Sequence, residues 1–146
     1  ELQSRFQTFV LTLFDPLYFT FRRPSRERVL AGNFSEGPSS PDVELRFRHK
    51  ESSARFGIHC LFCAGYADDK VRLASREQMQ NYRAFQEETD MDVYYVLGVG
   101  GRAEDPKELF LLPVSEIKNE TLNKYELDSY RKSGMFFFNH VAQKLQ

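Results

Sequence analysis

Apolar residues set the first element. Leu2, Phe6, Phe9, Val10, Leu13 and Phe14 recur at helical steps, and the Asp15-Pro16 pair stops the helix they predict. Leu17 to Arg22, with aromatics and Thr and no breaker, reads as a strand. Arg23 to Pro41 is rich in Pro, Gly and Ser and reads as a long loop. Asp42 to Arg48 then alternates, with Val43, Leu45 and Phe47 on one face and Asp42, Glu44, Arg46 and Arg48 on the other. A polar turn leads into a more apolar strand from Arg55 to Cys63, so the two runs predict a hairpin. Gly65 to Lys70 is a turn region.

A second helix is expected from Ser75 to Glu88. Ser75 is its N-cap, Gln78 is the capping-box partner three residues on, and Met79, Tyr82 and Phe85 form the buried stripe. Val93 to Val99 is almost unbroken in its apolar character, as in a strand covered on both faces. The glycines at 98, 100 and 101 read as a tight connection to a strand from Glu108 to Val114, with Pro113 marking an end near a sheet edge. Ser115-Glu116-Ile117 starts a short helical turn, and aromatics between Gly134 and Leu145 cover the core. The resulting order, α-β-β-β-α-β-β, predicts an α/β fold with a mixed β-sheet flanked by helices on both faces.

Composition changes this picture little. The chain of 146 residues fits one domain, 1–146, with 41% hydrophobic and 28% charged residues. It begins at Glu1 rather than Met, so a fragment of a longer protein is one expectation. The 14 Phe and 7 Tyr, with no Trp, read first as packing. A net charge of −1 gives no whole-molecule attraction to phosphate or to an acidic membrane. Only Arg22 to Arg55 leans basic, and five acids share that stretch. No apolar run is long enough for a membrane span, so no membrane contact is expected of this domain. Cys60 and Cys63 have C-x-x-C spacing, but a zinc site needs four ligands, and only His49 and His59 are nearby nitrogen donors. Their apolar strand favours two small hydrophobes, and unpaired cysteines without a signal sequence suggest a cytoplasmic location.

Five short segments, in order, resemble the PD-(D/E)XK nuclease superfamily, the restriction-endonuclease-like fold. Arg5-Phe6-Gln7 is similar to its first helix, which commonly carries Phe-Glu, and Pro41-Asp42 is similar to the Pro-Asp that opens its second strand. Arg55 to Phe62 resembles the third strand, where Ile/Val-Glu-x-Lys is usual. Gln78 to Phe85 resembles the helix that often carries Gln and Tyr, and Val93 to Pro113 resembles the closing strand pair of bacterial members.

Such a nuclease holds Mg²⁺ on two carboxylates, with a Lys to help activate water. The resemblance places Asp42 at the first carboxylate, His59 at the second, Leu61 at the Lys and Gln7 at the helix-one Glu. Three of these four are altered. The expectation is therefore a catalytically inactive nuclease-like module that binds DNA, RNA or a protein partner and needs no cofactor. Arg46, Arg48 and Arg55 are its candidate phosphate contacts. The alternative is an active deoxyribonuclease using Mg²⁺ or Mn²⁺ with a relocated carboxylate, for which Glu44 and Gln78 are the cleft candidates and Lys50 or Lys70 the nearest amines. His59 with Asp42 also suits a softer metal such as Zn²⁺.

Overall fold

The computed structural model describes residues 1–23 and 40–146. Most of the expected loop, including Arg26 and Arg28, lies outside the described residues. Helix α1 spans Leu2–Leu11 and is capped by the Glu1 side chain on Ser4 N–H. Strand β1 is Phe19–Arg22, β2 is Val43–His49 and β3 is Ser52–Cys63. A short strand β4, Lys70–Arg72, precedes α2, Arg76–Thr89. Strands β5 (Asp92–Arg102) and β6 (Asp105–Pro113) form the closing hairpin. A 3₁₀ turn at Val114–Glu116, strand β7 (Thr121–Asn123), one helical turn α3 (Lys124–Leu127) and a hairpin of β8 (Phe138–Asn139) and β9 (Lys144–Leu145) follow.

The main sheet has the order β1-β2-β3-β5-β6. Only β3 and β5 run parallel; the other neighbours are antiparallel. A parallel pair needs a long crossover, and the stretch holding β4 and α2 supplies it. The expected mixed sheet with a helix on each face is therefore present.

Several boundaries differ from expectation: α1 ends at Leu11 rather than Phe14, β6 opens at Asp105 rather than Glu108, and in three further places hydrogen bonding extends or cuts a run of side chains. Leu17 and Tyr18 stay outside β1, since the Tyr18 and Phe19 amides both turn back to Asp15 O behind Pro16. β3 starts at Ser52 because the tight turn at Lys50, in the left-handed region at φ 55°, carries the ladder on to His49↔Ser52. The glycines at 98–101 lie inside β5, and the turn itself falls at Ala103-Glu104 between the paired Arg102 and Asp105. Gly101, at φ 68°, could not carry a side chain, for a Cβ there would lie 2.9 Å from both Asp105 O and Lys107 N.

Two apolar layers enclose the sheet. On the first face Val43, Leu45, Phe47, Phe56, Ile58 and Val96 meet α1 through Phe6 and Val10. Fully burying such side chains contributes roughly 1.5–3 kcal/mol each. α1 sits close because Gly98 has no side chain: a Cβ there would lie 2.6 Å from the Phe6 ring. Gln3 fixes the register, its carboxamide donating to Phe62 O at 3.0 Å and accepting from Phe62 N at 2.9 Å. The β8–β9 hairpin closes this layer, with Phe136 stacked on Phe14 at 4.5 Å and Phe138 on Phe56 at 5.8 Å.

On the second face Met79, Tyr82 and Phe85 of α2 cover Val93, Tyr95 and Leu97, as their spacing predicts. Val71, Leu122 and Leu127 complete the layer from the β4–β7 pair and α3. Cys60 belongs to the first layer and Cys63 packs against the second. Three residues apart on one strand, they point to opposite faces and do not converge on a common ligand.

Candidate nucleic-acid interface

Pro41 is buried in the space that Gly57 leaves open, where a Cβ would come within 2.5 Å of Pro41 Cγ. This seats Asp42 at the mouth of β2. Its Oδ2 accepts from the Cys60 amide at 2.9 Å and lies 3.1 Å from His59 Nδ1. Tyr82 reaches down from α2 to place its hydroxyl 2.8 Å from the same nitrogen. The Tyr82 hydroxyl serves either tautomer of His59, accepting from a protonated Nδ1 or donating to a bare one. Tyr95, beside His59 in the β3–β5 register, completes the cluster with ring centroids 5.9 Å from His59 and 6.0 Å from Tyr82.

The electrostatics follow from burial. Burial, then the Asp42 charge, pushes the Tyr82 phenol up, and burial pushes Tyr95 up to about 12. The Cys60 thiol is raised first by burial and then by Asp42, and burial raises Cys63. Both cysteines thus remain thiols at neutral pH, unsuited to metal or redox chemistry without a compensating charge. Among the described residues, the buried Tyr95 hydroxyl has no hydrogen-bond partner.

The four positions that the resemblance assigns are only partly brought together. Asp42 and His59 touch. Leu61, two residues along β3, shares the His59 face and packs against the second apolar layer. Gln7 sits half-buried on α1, in the other layer, and no hydrogen bond joins it to Asp42 or His59. Among the described residues, no three of His, Cys, Asp and Glu gather as a metal site. Mg²⁺ requires hard oxygen ligands, and this set offers one engaged carboxylate, an imidazole and an isobutyl group. The residues present do not fit that ion.

The cleft candidates have other partners. Gln78 closes the capping box of α2: its Oε1 accepts from Ser75 N, and its own backbone amide donates to Ser75 Oγ, both at 3.1 Å. Glu44 lies between two arginines, 2.7 Å from Arg22 and 3.5 Å from Arg55. Lys50 is in the β2–β3 turn and Lys70 opens β4.

The arginines converge. Arg46 and Arg55 are direct cross-strand partners, and Arg48 stands opposite Ser53 on the same face. With residues 89–91, at the end of α2, all three line a hollow of about 460 Å³. A shallower hollow of about 180 Å³ continues past Glu44 to Thr20 and Arg22 on β1. Arg46 and Arg48 are exposed, and no acid stands within ion-pair distance of either among the described residues. Like charges directly opposite on neighbouring strands repel, and Glu44 on Arg55 and Asp90 in the lining offset part of that repulsion. The alternation of β2 places Arg46 and Arg48 on one face, but Arg55 joins them only through the hairpin register. Tyr95 was legible only as a core residue, while Tyr82 belonged both to the buried stripe and to the helix in which the resembled family often has a Tyr.

No protein-family model matches the chain, and neither does any curated protein. Among solved structures it is similar to Hjc, a Holliday junction resolvase from the archaeal hyperthermophile Archaeoglobus fulgidus. The TM-score is 0.61 and the identity 13%, covering 89% of this chain and 90% of that one. At that identity the likeness is one of fold. The five-stranded mixed sheet with flanking helices is a restriction-endonuclease-like fold.

Proposed function

We propose that this chain is a nuclease-fold module that binds nucleic acid through its backbone and does not cut it. The observation that carries the reading is the arginine array: Arg46, Arg48 and Arg55 in cross-strand register on one open face, two of them without an acid partner among the described residues. Phosphate contacts of this type position a backbone without reading sequence. The resolvase of the same fold supports a nucleic-acid ligand over other anions. Absence of cleavage rests on the chemistry of Asp42, His59 and Leu61, which lack the second carboxylate and the amine that phosphodiester hydrolysis by this fold requires. Glu44, tied to Arg22 and Arg55, orients the array rather than supplying the missing ligand.

Binding of labelled DNA and RNA across a salt series tests the reading. The expected affinity falls steeply with salt, with a slope of about −0.9 for each phosphate neutralised. Replacing Arg46, Arg48 and Arg55 by Gln is expected to reduce that slope by about one unit for each phosphate left without its arginine. Plasmid and single-stranded DNA should stay intact with Mg²⁺ or Mn²⁺. Cutting that disappears in Asp42→Ala would instead establish an active enzyme with a relocated carboxylate. No binding at low salt would remove nucleic acid as the ligand and turn the search toward a protein partner.

A further inference from the structure

A second basic hollow lies apart from the arginine array. The first turns of α2 and the strap at residues 118–121 enclose about 470 Å³, lined by Arg76, Arg83 and Lys118 with the neutral donors Gln80, Asn119 and Thr121. One acid, Glu120, shares the lining, and its charge is divided. Oε2 lies 3.4 Å from Arg72 and Oε1 lies 3.9 Å from Arg76. Arg83 gives its Nη2 proton to the Ile117 carbonyl, a neutral partner that fixes the guanidinium without cancelling its charge. Lys118 has no acid within ion-pair distance among the described residues.

A hollow on another face has acid partners for two of its cations. In the hollow beside β6 and β9, Arg131 pairs with Glu108 at 2.7 Å and with Asp128 at 3.1 Å, while Lys144 pairs with Glu116 at 3.5 Å. The α2 hollow keeps three cations against one shared carboxylate. It is also held in shape. The Glu120 carbonyl accepts from Leu73 N at 2.8 Å and β7 pairs with β4, which ties the far end of the strap to the segment leading into α2, and Arg83 holds its start at Ile117. Acids on the outward side of α2, Glu77, Glu87 and Glu88, stand in the way of a long polyanion laid flat over the helix. A compact, highly charged group avoids them.

We propose that this hollow is a binding site for a phosphate monoester, a dianion whose three oxygens take charge-assisted hydrogen bonds from Arg76, Arg83 and Lys118. The shared chemistry has two sources, free phosphate compounds and the phosphorylated end of a nucleic-acid strand. The site is independent of the arginine array and does not require that face to bind anything.

Titration of the ¹⁵N-labelled protein with inorganic phosphate tests it, with chloride at matched ionic strength as the control. Saturable shifts are expected at the amides of residues 118–121 and at the Arg76 and Arg83 Nε–H signals, and they should vanish in Arg76→Gln/Lys118→Gln. The Arg76 side chain is 83% exposed, so folding of that variant is not at stake. A second arm compares one oligonucleotide with a 5′-phosphate and a 5′-hydroxyl end. About tenfold tighter binding of the phosphorylated end, lost in the double variant, identifies a strand end as the source. Equal affinity, with saturable phosphate shifts, identifies free phosphate compounds. Shifts that do not saturate, that chloride reproduces, or that persist in the double variant overturn the site.

Discussion

At the scale of single residues, close approach rather than polarity makes the strictest demands. Gly57 and Gly98 both sit where a neighbouring side chain occupies the place of a Cβ, Pro41 in one case and Phe6 in the other. Gly98→Ala therefore forces the fully buried Phe6 ring to move inside a packed layer, at an expected cost of about 1–3 kcal/mol in urea unfolding. A change below a few tenths of a kcal/mol would mean that α1 is free to lift from the sheet. The same scale explains what the sequence concealed about Asp42. The Pro-Asp pair is visible in the chain, and so is His59, but nothing local states that the Asp42 carboxylate accepts the Cys60 amide or that Tyr82 meets His59 Nδ1. Those bonds join positions 18 and 23 residues apart, and only the β2–β3 register and the seating of α2 bring them within reach.

At the scale of elements, α2 is the best specified. Its cap, buried stripe and ends agree with one another. The capping box at Ser75 and Gln78 satisfies two amides, and Asp90 closes the helix in the left-handed region at φ 54°. Ser75→Ala should destabilise the protein by about 1 kcal/mol, read as a lower midpoint of thermal unfolding followed by circular dichroism. Gln78→Ala should cost less, because it removes only the returning half of the box. An unchanged midpoint in Ser75→Ala would show that the first turn of α2 is held by the β4–β7 strap instead. The strands β4, β7, β8 and β9 lie at the opposite extreme. Each has two or three residues, too few to show a period, and each exists because its partner offers a ladder.

At the scale of the whole molecule, the buried phenols couple the fold to pH. Tyr94 is raised by burial, Tyr82 by burial and then Asp42, and Tyr95 to about 12, against an ordinary value of 10.0 in the unfolded chain. Below pH 10 both states hold these protons, and the full contribution is present. Above it the unfolded chain releases them first, so it binds fewer protons and stability falls as pH rises toward the folded values. Each phenol contributes a slope of about 1.4 kcal/mol per pH unit in that window. Absorbance at 295 nm through an alkaline titration should therefore show a first group of tyrosines ionising near pH 10 and a second only with cooperative unfolding. A single smooth transition for all seven, with near-ultraviolet circular dichroism intact, would show the second layer to be open to solvent.

The sequence by itself determined the periodic elements, α1, β2, α2 and β5, and which positions of each are apolar. Helical and strand periods are local, and burial of a repeating stripe is strong enough to decide them without knowledge of the partner. It also carried the order of elements, which is why the restriction-endonuclease-like fold was legible. Tertiary structure alone decided the chemistry of the surface. Arg55 meets Arg46 through a hairpin register, His59 meets Tyr82 through a crossover, and the α2 hollow forms where residues more than thirty positions apart enclose one space. Side-chain pairing of this kind depends on non-local geometry that no run of neighbouring residues encodes, because its free energy is gained only after the chain has closed those loops.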